Sequence, residues 1–122
     1  MTRKEIAQQF LTLCAKGESR LDFELYAAMD LKHHNPYFKG DAYTLMMAME
    51  QEGIRNPTKI FQVQRSMEED GLVAVHSHLR ENPTDAGLAV FHILRFEENK
   101  IVEFWDIAQA VPQELINENS MF

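Results

Sequence analysis

The stretch Ile60–Arg80, IFQVQRSMEEDGLVAVHSHLR, decides the fold because its periodicity is that of strands rather than helices. Successive residues alternate between two faces on either side of Glu69-Asp70-Gly71, which has the composition of a tight turn. The alternation continues in Leu88–Glu97 and, after a turn at Asn99-Lys100, in Ile101–Val111. The sequence therefore predicts an antiparallel meander of four strands.

The residues before Asn56-Pro57 have helical periodicity instead. Thr2 and Glu5 have the spacing of a capping box, which predicts a first helix that ends at Gly17. Gly40-Asp41 predicts the start of a third helix, because aspartate is a preferred N-cap residue.

A second helix is predicted between these two, with Ser19 as its N-cap and its end near Met29. Leu21 and Leu25 would form its apolar face, and Asp22 would face water. Helices followed by a meander are typical of an α+β fold, in which about three helices pack on one face of a strongly curved sheet. The space between the helices and such a sheet is a natural ligand pocket.

The composition is that of one globular domain, residues 1–122, with 45% apolar and 25% charged residues. A net charge of −7 would repel phosphate backbones and anionic lipids, so neither nucleic acid nor a membrane is an expected partner. The chain has no long apolar run and no leader-like segment, and the expected compartment is the cytoplasm. Cys14, the only cysteine, is expected to be a buried spectator.

Asp106 is the residue that the pattern singles out for acid–base chemistry. It shares a strand face with Phe104 and Ala108, so it would be a carboxylate in apolar surroundings. Burial raises the pKa of a carboxylate and an adjacent imidazolium lowers it, so such a site can tune proton transfer near neutral pH. The alternative is a structural acceptor that ties down Trp105, a turn or a helix end.

Histidines supply the other candidates. His76 and His78 share one strand face, where they could serve catalysis or be core or rim residues satisfied by hydrogen bonds. With His34, His92 or Asp106 they could also hold a divalent metal ion. An i, i+2 pair of histidines is a weak metal signal, and no metal is expected.

Five segments, in this order and spacing, resemble one family: His34-Asn35-Pro36, Val73–His78, Phe96–Glu103, Trp105-Asp106 and Asn119–Phe122. They resemble the SnoaL-like group of the nuclear-transport-factor-two-like (NTF2-like) superfamily. The likeness is greatest to its small bacterial members labelled as predicted aldol-condensation enzymes.

The resemblance implies a cone-shaped α+β barrel with an antiparallel sheet of four to six strands, often dimerising through the outer sheet face. It also implies the chemistry of polyketide cyclases, which close a ring by aldol condensation without a cofactor and use an aspartate as acid–base. His34 and Asn35 would then point inward, and His33 would lie at the surface. Similar proteins usually have a histidine where this chain has Phe104.

The resulting hypothesis is a lyase or isomerase that acts on a small apolar carbonyl compound and works as a homodimer without cofactor or metal. Asp106 would remove a proton α to the carbonyl, while His34 or His76, with Asn35, donates hydrogen bonds to the oxygen. Further ligand contacts are expected from His78, His92, Phe104 and Met46, although the methionines could equally be core filler. The alternatives are a non-catalytic module that binds a small ligand and a metal-dependent site on His76 and His78.

Overall fold

The computed structural model describes residues 1–122 and contains three helices and five strands. In chain order the elements are α1 (Arg3–Ala15), α2 (Ser19–Tyr26), β1 (Ala27–His33), α3 (Ala42–Arg55), β2 (Ile60–Glu69), β3 (Leu72–Arg80), β4 (Leu88–Glu97) and β5 (Lys100–Ala110). None of the helices is long and apolar enough to span a membrane.

The capping signals place the first and third helices correctly. The Thr2 hydroxyl accepts from the backbone N–H of Glu5 at 3.1 Å, and the Glu5 carboxylate accepts from the N–H of Thr2 at 2.9 Å. Asp41 caps α3 by accepting from the N–H of Thr44 at 3.0 Å. The end of α1 is followed by Gly17, whose φ of +82° is the left-handed conformation that glycine adopts without strain.

The prediction for the second helix is wrong in its end, its cap and its buried face. α2 has only eight residues, Ser19 is its first helical residue, and Met29 is a fully exposed residue of a strand. Asp22 is completely buried, whereas Leu21 and Leu25 are exposed. Packing against α1 sets the rotation of so short a helix, and it turns Asp22 inward with Phe23.

The predicted meander is present, and a fifth strand joins it. Strands β2 to β5 pair antiparallel in sequence order, but β1 pairs parallel to β5, so the sheet is mixed and has the order β1-β5-β4-β3-β2. The sheet is curled and not closed, since β1 and β2 remain as edges. The prediction of a purely antiparallel sheet is therefore wrong at one edge.

The core lies between the helices and one face of the sheet, which we call the inner face. It is built from fully buried side chains of α1, α3 and the strands, among them Phe10, Leu45, Val73, Val75 and Leu94. The opposite, outer face of β3 is covered in part by the C-terminal residue, because the Phe122 ring stacks on two histidines of that strand.

Candidate functional site

A cavity of about 700 Å³ lies between the helices and the inner face of the sheet. Its size is within the range of small-molecule sites, about 300–1,000 Å³. The lining is mostly apolar and comes from α1, α3, the segment after β1 and strands β2 to β5. The polar side chains in the lining are few, and they include His34, Asn35, Lys59, His92 and Asp106.

Asp106 stands on the inner face of β5, as the period of two predicts. Its side chain is 15% exposed and lines the cavity. One carboxylate oxygen accepts from Nδ2 of Asn35 at 2.8 Å, and the other lies 3.3 Å from Nε2 of His92. A carboxylate can accept about four hydrogen bonds, so these two side chains leave Asp106 free to accept more.

The environment of Asp106 holds its carboxylate in the ionised form. Burial alone would raise the pKa of Asp106, but the hydrogen bond and charge of His92 act against it. The hydrogen bond from Asn35 acts in the same direction as His92, and the net pKa of Asp106 lies below its ordinary value. Asp106 is therefore ionised at neutral pH.

His92 is the nearest titratable partner of Asp106. The two residues face each other across β4 and β5, so their side chains share the inner face. The His92 ring is stacked on Phe104, with ring centres 5.2 Å apart, and Phe61 lies 6.3 Å away on another side. When neutral His92 donates from Nε2, its lone pair is on Nδ1, a buried atom with no hydrogen-bond partner in the protein.

Asn35 is positioned by the turn that follows β1. Its backbone N–H donates to Nδ1 of His33 at 3.1 Å, and its side-chain oxygen accepts from the N–H of Tyr37 at 3.0 Å. The N–H of His34 donates to the carbonyl of Phe104 at 2.9 Å and ties this turn to β5. These contacts leave the Asn35 amide nitrogen directed at Asp106.

The predicted orientations of His33 and His34 are reversed in the structure. His33 is only 4% exposed and hydrogen-bonds to the carbonyl of Lys39, so the prediction of a surface residue is wrong. His33 pairs in register with Phe104 and therefore shares its inner face.

His34, one residue on, turns to the other face and reaches the cavity only at its rim. Its ring stacks on Trp105 with centres 4.9 Å apart, and Nε2 donates to Glu103 at 2.7 Å. Glu103 also accepts from Arg95 at 3.0 Å. The structure thus places His34 in an ion-pair group at the rim rather than beside Asp106.

His76 and His78 do share one face, but it is the outer one. The inner residues of β3 are Val73, Val75 and Ser77, all fully buried, and Val75 is the residue that faces His92. His76 instead contacts Arg65, and Nε2 of His78 donates to the carbonyl of Ala86 at 2.7 Å. The predicted placement of both histidines in the pocket is therefore wrong.

Two other predictions can be compared with the cavity wall. Phe104 lines the cavity, where its ring contacts His92. Met46 does not line this cavity but a shallower cleft between α2, β1 and α3, because a helix turns by about 100° per residue and Leu45 and Met49 take the inward positions. No group of three or more His, Cys, Asp or Glu side chains could hold a metal ion.

Lys59 is a site residue that the sequence analysis missed. It lines the cavity with a side chain that is 9% exposed, and its ammonium lies 3.7 Å from Oε1 of Glu52. The signal was available, because the period of two that puts Phe61 and Val63 on the inner face extends back to Lys59.

Comparisons with solved structures support the fold. Neither the comparison with protein-family models nor that with curated proteins found a match. An NTF2-like protein of unknown function from Cytophaga hutchinsonii has a TM-score of 0.71 at 13% identity, covering 89% of this chain and 91% of that chain.

Two further similar structures have names that suggest a chemistry for those proteins. A candidate isomerase of the SnoaL-like family from Agrobacterium tumefaciens has a TM-score of 0.72 at 12% identity, covering 89% of this chain and 99% of that one. IdmH, a candidate polyketide cyclase from Streptomyces antibioticus, has a TM-score of 0.70 at 18% identity, covering 89% and 93%. At such identities the likeness shows the fold alone, and the predicted α+β fold of the SnoaL-like and NTF2-like proteins is confirmed.

Proposed function

We propose that this protein is a small-molecule enzyme that carries out acid–base chemistry on an apolar carbonyl compound in its internal cavity. The observation that carries the proposal is the carboxylate of Asp106, which stands in the cavity wall with a hydrogen bond from Asn35 to one oxygen and Nε2 of His92 at 3.3 Å from the other. The reaction would be an aldol condensation, a cyclisation or an isomerisation. The names of the SnoaL-like and IdmH neighbours support this class of chemistry.

In the proposed reaction Asp106 takes a proton from the carbon α to the substrate carbonyl. The electron pair of that C–H bond moves into an enolate, and the charge passes from the carboxylate to the substrate oxygen. The enolate then attacks a second carbonyl carbon, and the resulting alkoxide takes the proton from Asp106; in an isomerisation the enolate instead takes this same proton from Asp106 at another carbon. Either path regenerates the carboxylate and needs no external oxidant or reductant.

Asn35 is the residue best placed to stabilise the developing oxyanion. Its amide carries two N–H groups, and only one of them is needed for the 2.8 Å hydrogen bond to Asp106. The second N–H can donate to a substrate oxygen next to the base. This role replaces the one predicted for His76, which lies on the outer face, and for His34, which is paired with Glu103.

The test is proton exchange with Asp106→Asn, which keeps the shape of the side chain and removes the base. Exchange of the α-proton of a cyclic β-dicarbonyl for deuterium would be followed by NMR, and the variant should lose about 10²-fold or more of the catalysed rate. Asp30→Asn is the matched control, because Asp30 is an exposed residue of β1. Undiminished exchange in the folded Asp106→Asn protein would rule out this role for Asp106.

A non-catalytic binding module is the second candidate function. The observation in its favour is the lowered pKa of Asp106, which makes this carboxylate a weaker base than an ordinary buried aspartate. Such a module would retain an apolar ligand in the cavity without exchanging its α-protons. The same NMR experiment separates the two candidates.

A further inference from the structure

The cavity has one cation and one anion in its wall, on different elements. Lys59 is its only lysine or arginine, and Asp106 is its only aspartate or glutamate. We infer that Lys59 holds the carboxylate of the ligand, so that the ligands of this cavity are apolar monocarboxylates. The part of this inference that assigns the ligand a reactive carbonyl rests on the proposed function, whereas the binding of the carboxylate does not.

The ammonium of Lys59 is poorly paired within the protein. Its nearest carboxylate oxygen, Oε1 of Glu52, is 3.7 Å away, which is longer than a hydrogen bond. The same oxygen already accepts from the side chain of Asn56, and Oε2 accepts from Arg55 at 3.2 Å. The three N–H groups of the Lys59 ammonium therefore make no hydrogen bond to Glu52.

A shielded charge of this kind favours a ligand of opposite sign. The Lys59 side chain is 9% exposed, and taking a charge out of water is unfavourable unless the charge is paired and hydrogen-bonded. A carboxylate in the cavity would supply short, charge-assisted hydrogen bonds to the ammonium.

The positions of the two charges also define how such a ligand lies. Lys59 immediately precedes β2 and lies two residues before Phe61, whose ring centre is 6.3 Å from that of His92, and Nε2 of His92 lies 3.3 Å from Asp106. Phe61, His92 and the two charged residues line the same cavity. Within the cavity lining, the carboxylate of Asp106 disfavours a second carboxylate beside it, whereas the Lys59 ammonium attracts one.

The ligand then binds in a single orientation. Its carboxylate pairs with Lys59, and its apolar body packs on side chains such as Phe10, Met49, Phe61 and Leu79. The far end of the ligand meets Asp106 and Asn35, where a carbonyl group would be presented to the base. The substrate class of the proposed enzyme is therefore an apolar acid with a carbonyl group remote from the carboxylate.

The experiment compares octanoate with octanol, which share an apolar chain and differ in charge. Binding would be measured by calorimetry. The native protein should bind octanoate at least about tenfold more tightly than octanol. The free energy of one hydrogen bond to a charged group corresponds to about this difference in affinity. Lys59→Met should abolish the preference, and Lys59→Arg should retain it.

Two more variants control for structural effects. Glu52→Gln removes the competing carboxylate and should keep or increase the preference for octanoate. Lys4→Met, on the exposed face of α1, removes one positive charge outside the cavity lining and should leave the preference for octanoate unchanged. If Lys59→Met does not fold, Lys59→Gln and the comparison of the two ligands in the native protein still decide the matter.

Equal affinity of the native protein for octanoate and octanol would overturn the inference, and so would a preference that survives in Lys59→Met or Lys59→Gln. Asp106→Asn should keep the preference, because it leaves the ammonium in place. A preference for octanoate without any α-proton exchange would refute the proposed function and leave this inference intact. Proton exchange that depends on Asp106, without a preference for octanoate, would refute this inference and leave the proposed function intact.

Discussion

Asp22 provides a prediction about stability that follows from one buried group. The side chain lies on α2 with no exposed surface, and one of its oxygens accepts from Sγ of Cys14 at 3.0 Å. Its other oxygen has no hydrogen-bond partner in the protein. Burial raises the pKa of Asp22 to about 8, against the lowering effect of the Cys14 hydrogen bond and with a smaller contribution from Glu18.

The direction of the pH dependence follows from the proton count. In the unfolded chain Asp22 ionises near its ordinary pKa of 3.8, whereas in the folded protein it keeps its proton up to about pH 8. Between these values the folded state binds one proton more than the unfolded state, so the free energy of unfolding falls as pH rises. The slope is about 1.4 kcal/mol per pH unit, and about 4 units of pKa difference correspond to about 6 kcal/mol over the whole window.

The perturbation is Asp22→Asn, which keeps the shape of the neutral carboxyl group and cannot ionise. Urea unfolding followed by Trp105 fluorescence, from about pH 5 to about pH 8, would give the free energy of unfolding of each protein. As the pH rises, the free energy of unfolding of the variant should increase relative to that of the native protein by about 1.4 kcal/mol per pH unit. Asp30→Asn, an exposed control, should follow the native curve. Parallel curves for the native protein and Asp22→Asn would refute a protonated, buried Asp22.

Two further predictions concern the candidate site. His76→Ala should leave the rate of α-proton exchange within about twofold of the native rate, because His76 lies on the outer face against Arg65 and Phe122. A loss of about tenfold or more in the same NMR assay would contradict this placement. The acid limb of the pH–rate profile for exchange should lie below the ordinary aspartate pKa of 3.8, because the pKa of Asp106 is lowered. A profile that falls with an apparent pKa near 6 would point to another base.

The local signals in the sequence were sufficient for much of the fold. The capping box at Thr2 and Glu5, the cap at Asp41 and the turn at Asp70-Gly71 depend on residues close in sequence, and the structure has each of them. The bounds of β3 and β4 agree with the prediction for the same reason. Asp106 was found because an acid between apolar residues of one strand face is unusual in any sheet.

The fifth strand could not be found in this way. The segment Ala27–His33, AAMDLKH, has no clear alternation and includes good helix formers, and the prediction continued α2 to Met29. Its strand conformation depends on parallel pairing with β5, about seventy residues later in the chain. Long-range pairing of this kind overrides local propensity.

The sequence by itself determined which residues share a face, where the turns fall and where two of the helices begin, since these follow from the geometry of neighbouring residues. Only the tertiary structure decided which face is inside. The same period of two that grouped His76 with His78 and found Asp106 is symmetric between the two sides of a sheet. The helices cover one side, and they thereby bring His92, Asn35 and Lys59 to the cavity with Asp106 and leave His76 and His78 outside.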